Sequence, residues 1–121
     1  MIVRLTVLAL AAAISTFGRA AWAQDVEKGK QAFAACAPCH APDQNGVGPQ
    51  LNGILNRPAG SVEGFRYSRA MKNSKIVWDE KSLDAYLAEP QQFVPGNLMP
   101  FSGIADAQKR SDLIAYLATL K

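Results

Sequence analysis

Cys36-Ala37-Pro38-Cys39-His40 is the stretch on which the reading of this chain turns. Two thiols three positions apart, followed at once by an imidazole, form the C-x-x-C-H pattern by which a haem is attached to a polypeptide. The spacing lets each thiol form a thioether with one vinyl group, while the histidine is directed at the iron from one face. Competing readings of the same residues fail on simple counts. A thioredoxin-like redox pair needs a βαβ setting, and no segment alternates with period two for long enough to make a strand. A structural disulfide in an oxidising compartment leaves the histidine unexplained. A structural zinc site takes about four ligands, whereas Cys36, Cys39 and His40 are all the cysteine and histidine the chain has.

The single histidine carries the argument further. Two histidines of one chain cannot both ligate the iron, so the sixth ligand must be Met, Lys or water, or be absent. Of the three methionines, Met1 lies in a segment expected to be removed. Met99 sits in Pro95-Gly96-Asn97-Leu98-Met99-Pro100-Phe101, where prolines on both sides stiffen the loop. Met71 falls in a short helical turn, where a flexible thioether more often fills a gap in a core. Met99 is therefore the expected ligand. His/Met ligation raises the haem potential and suits electron transfer. It also leaves no open position for a substrate, so no enzymatic activity is expected.

Around the motif the chain reads as helix and loop. Asp25 can cap a helix running through Val26, Phe33 and Ala34 toward the cysteines. From Ala41 to Phe65 the chain is rich in Gly, Pro and Asn and has no sustained period, which predicts ordered loop. Ser68 can cap a short helix through Met71. Asp79 can cap another, with Leu83, Tyr86 and Leu87 on one face, ended by Pro90. Asp106 can cap a last helix with Leu113, Tyr116, Leu117 and Leu120 as its apolar stripe. Loops this long are unusual in a small domain, unless they wrap something large such as a haem.

The first 23 residues read as a secretory signal: Arg4, an apolar run from Val7 to Ile14, and Ala21-Trp22-Ala23 as an A-x-A cleavage site. The apolar stretch between Arg4 and Arg19 is shorter than the ~20 residues that span a bilayer; the alternative is an uncleaved membrane anchor. Residues 24–121 form the expected single domain in the periplasm. Removing Arg4 and Arg19 takes the basic residues from 13 to 11 against 10 acids, so the net charge falls from +3 to +1. No basic patch remains that would argue for nucleic acid.

These residues resemble the class I cytochromes c, the short soluble bacterial type similar to mitochondrial cytochrome c. Beyond the haem motif, the resemblance rests on Gly48-Pro49-Gln50-Leu51, Gly64-Phe65-Arg66-Tyr67-Ser68, Trp78, Tyr86-Leu87, Pro95-Gly96, Met99 and Asp112-Leu113-Ile114-Ala115-Tyr116-Leu117. It implies an all-α fold in which N- and C-terminal helices cross and short helices and long loops enclose one haem c, bound through Cys36 and Cys39. His40 and Met99 would be the iron ligands. The Pro49 carbonyl would accept from the far ring nitrogen of His40, Arg57, Tyr67 and Trp78 would supply donors to a buried propionate, and Tyr86 would place its hydroxyl near the Met99 sulfur. Gly29 and Phe33 would meet Leu113 and Tyr116.

The implied function is that of a monomeric periplasmic carrier shuttling single electrons between redox protein partners, neither spanning a membrane nor binding nucleic acid. The alternative is a dedicated electron-acceptor subunit of one periplasmic dehydrogenase. One departure bears on partner choice. Relatives that dock on acidic partners carry lysines around the haem edge, where this chain has Ala35, Val47, Gln91, Gln92, Leu98 and Ala105. A neutral to apolar docking face follows as an expectation.

Overall fold

Asp25 opens the first helix as its sequence suggests: the side-chain carboxylate accepts from the backbone N–H of Lys28 at 3.0 Å, satisfying one of the donors that every helix start leaves over. The computed structural model describes residues 23–121, so the signal assigned to residues 1–23 lies, but for Ala23, outside the described residues. Helix α1 spans Val26–Ala32 and tightens into a 3-10 turn, Phe33–Ala35. Four more helices follow: α2, Arg69–Lys72; α3, Glu80–Ala88; α4, Pro90–Phe93; and α5, Ala107–Ala118. Among the described residues there is no strand, only an isolated antiparallel bridge between Pro58 and Val77. Residues 41–65 hold no helix and run as turns and extended segments.

The capping residues read from the sequence act as caps. Ser68 accepts from Met71 N–H and Asp106 from Lys109 N–H. Asp79 forms a full capping box, its carboxylate accepting from Ser82 N–H while the Ser82 hydroxyl accepts from Asp79 N–H. Those bonds hold the Asp79 carboxyl below its ordinary value, Ser82 being the main cause. Pro90 does more than end a helix. Having no N–H, it suits the first turn of a new one, and it opens α4 fully buried.

Helices α1 and α5 cross at Gly29. A methyl group there would lie 1.9 Å from the Asp112 carbonyl oxygen and 2.9 Å from Tyr116 Cβ, so only glycine admits this approach. The crossing is sealed by Phe33 against Tyr116, ring centroids 5.3 Å apart. Leu113 is fully buried, with Leu117 and Ile114 beside it. Ile114 was not part of the expected stripe, and Tyr116 and Leu120 are only half-buried. Helix α5 therefore buries a wider arc than the stripe suggested, because α1 and α3 cover it from two sides.

Asp112, also buried, is held at this crossing. Its Oδ1 accepts from the Asp25 backbone N–H at 2.9 Å and from Gln108 Nε2 at 2.8 Å. A buried carboxylate needs such donors, and here they include an N–H of the positive end of α1.

Candidate functional site

The 3-10 turn after α1 continues as helical turns through the haem motif: Ala37 N–H donates to Phe33 O, and both Cys39 and His40 N–H groups donate to Cys36 O. This winding puts Cys36, Cys39 and His40 on the wall of one cavity of about 300 Å³, within the size range of cofactor sites. No disulfide joins the two cysteines. Burial, and then the nearby Cys39, push the Cys36 thiol above its ordinary value.

His40 is fixed by the loop that follows it. Its Nδ1 lies 2.9 Å from the Pro49 carbonyl oxygen, an atom that can only accept. Nδ1 therefore carries the proton and donates, leaving the Nε2 lone pair for a metal. Gly48 lies directly against the ring: a Cβ on it would fall 2.3 Å from His40 Cε1. Gly48 in turn donates its N–H to Cys39 O at 2.8 Å, so the motif and the loop clasp each other.

The other expected site residues line the same cavity: Pro49, Arg57, Tyr67, Trp78, Tyr86 and Met99. Met71 lines it too, which the gap-filler reading did not require. The two methionines differ in how they are held. The Met99 sulfur lies 3.8 Å from the Tyr86 hydroxyl, which donates to it. The Met99 backbone N–H is bound by Asn97 Oδ1 at 2.9 Å. The Met71 sulfur has no hydrogen-bond donor among the described residues. Tyr86 is buried between Trp78 and Phe93, and burial pushes its hydroxyl up to about 12.

The polar groups of the cavity form a donor set. Arg57 gives one N–H from each terminal nitrogen to the carbonyls of Asn52 and Gln50, at 3.1 and 3.0 Å, which braces that loop and leaves its remaining N–H groups. Burial lowers its pKa, with Tyr67 acting the other way. The Tyr67 oxygen accepts from Val62 N–H at 3.1 Å, and its own O–H has no protein acceptor among the described residues. Nor has the Trp78 ring N–H. Trp78 is buried, yet among the described residues no side-chain nitrogen or oxygen is sealed off without a partner, so that N–H opens onto the cavity Trp78 lines. Unspent donors in an otherwise apolar chamber, beside two thiols and a lone imidazole nitrogen, fit a large apolar macrocycle bearing an iron and carboxylate groups.

The sequence reading missed Asn97. It is 6% exposed, and a polar residue inside the Pro95–Pro100 loop gives no periodic signal; its value shows only once the loop is folded.

Comparison with known proteins agrees with the geometry. The family model described as cytochrome c matches residues 26–121. Cytochrome c2 of Rhodoplanes tepidamans is 46% identical over 98 residues, covering 78% of this chain and 92% of that protein. Cytochrome c of Trypanosoma brucei brucei is 53% identical over 77 residues, 64% of this chain and 83% of that one. Among solved structures, cytochrome cH from Methylobacterium extorquens superposes with a TM-score of 0.77 at 45% identity, covering 78% of this chain and 98% of that chain.

Proposed function

The chain belongs to the cytochrome c family, an electron carrier holding haem c through Cys36 and Cys39, and we propose that it works in the periplasm as a monomer with His40 and Met99 as its iron ligands. The observation that carries this reading is that the fold holds both side chains through contacts of its own. His40 is oriented by Pro49 and Gly48, and the Met99 sulfur receives the Tyr86 hydroxyl. A site held from both sides needs little rearrangement when the charge on the iron changes, which favours rapid electron exchange. Haem supplies the redox couple. The chain supplies ligand orientation, an apolar wall that excludes water, and the Arg57, Tyr67 and Trp78 donors for a propionate, which would otherwise be an unpaired charge in a low-dielectric interior.

The dehydrogenase-subunit alternative is not favoured: the relatives matched over most of their own length bear the names cytochrome c2 and cytochrome c. Among the described residues no helix is long and apolar enough to cross a membrane. Two ligands on the iron leave no place for a substrate, which argues against catalysis. The experiment is exposure of the reduced, haem-loaded protein to carbon monoxide at neutral pH. An unchanged spectrum, with a reversible one-electron titration, is the expected result; rapid carbon monoxide binding overturns the closed site.

The mouth of the cavity carries Val47 and Leu98, 73% and 75% exposed. Ala35, Gln91, Gln92 and Ala105, the other positions where lysines were missing, are exposed as well. This supports docking on redox partners through a neutral, partly apolar face.

A further inference from the structure

Asn97 concentrates more hydrogen bonds than any other side chain near the cavity. Its Nδ2 donates to the carbonyls of Pro90 and Val94, both at 2.9 Å. Its Oδ1 accepts from Met99 N–H at 2.9 Å and faces the Tyr86 hydroxyl at 3.5 Å. The amide orientation is fixed by its surroundings: turned over, it would set an oxygen against two carbonyls and an NH2 group against an N–H. The Asn97 backbone is bound too, its carbonyl accepting from Gln91 Nε2 at 2.9 Å.

Little else holds this loop. Pro95, Gly96, Leu98 and Pro100 are exposed, and Met99 is half-buried. Gly96, at φ +87°, takes the left-handed conformation the turn requires. Asn97 thus joins the carbonyls of Pro90, which opens α4, and Val94, which follows it, to the backbone of Met99 and the hydroxyl that meets the Met99 sulfur.

We propose that Asn97 is a positioning residue that keeps the Met99 sulfur on the iron, by clamping the Pro95–Pro100 loop to α4 and to Tyr86. The inference rests on Met99 being the ligand. Without the clamp the loop has only Asn97 N–H to Val94 O and Phe101 N–H to Met99 O as backbone ties, and Met99 swings away more often. An external ligand then gains access to the iron.

The test compares ferric, haem-loaded wild type with Asn97→Ala, Asn97→Ser and Met99→Leu. The readouts are the far-red sulfur-to-iron charge-transfer band and the affinity for imidazole. Wild type should show the band and Met99→Leu should lack it. Asn97→Ala should bind imidazole roughly tenfold more tightly, as expected for the loss of buried hydrogen bonds, and should lose the band on heating well before the helices melt. Asn97→Ser, which keeps an oxygen for the Met99 N–H, should fall between the two. If the alanine variant does not accumulate with haem, the serine variant carries the test with a severalfold effect. Imidazole affinity in the variants within twofold of wild type, with the band melting together with the helices, overturns the clamp. Retention of the band in Met99→Leu overturns the ligand assignment and the clamp with it.

Discussion

Replacing Gly29 by alanine sets two physical effects against each other. On helix propensity alone the change stabilises by about 1 kcal/mol. In the fold, the new methyl would lie 1.9 Å from the Asp112 carbonyl oxygen and 2.6 Å from its carbon. Contacts below about 3 Å are not tolerated, and the obstacle is helical backbone that cannot rotate aside, so α1 must lift from α5. Lifting it overpacks the crossing, at about 1–3 kcal/mol. It weakens the Phe33–Tyr116 pair, worth about 0.5–1.5 kcal/mol. It also stretches the Asp25–Asp112 hydrogen bond, a charged one worth about 1.5–3 kcal/mol if lost. Net of the propensity gain, a loss of about 3 kcal/mol is expected. For a domain of this size, that lowers Tm by roughly 10–25 °C. Circular dichroism melts of the haem-loaded protein measure it. A Tm equal to or above wild type would refute the argument, because it would mean that propensity outweighs the crossing.

Gly48→Ala places a methyl 2.3 Å from His40 Cε1, so the ring must leave Pro49; the fraction of purified chains carrying haem should fall on the order of tenfold, and full loading with an unchanged potential would count against the role of Gly48. Tyr86 gives a pH prediction. Its folded pKa, pushed up to about 12, lies above the unfolded value, so its share of stability is complete below pH ~10 and is lost as pH rises toward about 12. Denaturant titrations should show this as a fall of about tenfold per pH unit in the folding constant, absent in Tyr86→Phe; identical slopes in the two proteins would exclude it. Leu98→Lys puts a charge on the rim of the cavity mouth, and electron transfer to an acidic partner should become steeply salt-dependent, whereas the parent's rate should change little across the same salt series.

The fold was legible where a local rule decided the conformation. Asp25, Ser68, Asp79 and Asp106 are caps because short acceptors at those points meet helix N–H groups. The haem motif was legible because its chemistry is set by spacing. The sites that escaped depend on contacts between distant segments. Asp112 is buried only because the start of α1 supplies an N–H. Asn97 matters because α4 ends where its amide can reach two carbonyls. Pro90 was read as a terminator, and its second role as the buried first residue of α4 depends on packing. Met71, in its short helical turn, lines the same cavity wall as Met99.

Met71 and Met99 share that wall, so the central claim of a His40/Met99 site comes down to which methyl lies over the haem. Proton NMR of the ferrous protein with isotope-labelled methionine methyl groups answers this, since the ring current shifts the methyl of an axial methionine far upfield. One strongly shifted methyl is expected in wild type, lost in Met99→Leu and retained in Met71→Leu. A shifted methyl that disappears with Met71 instead, or none at all, would contradict it.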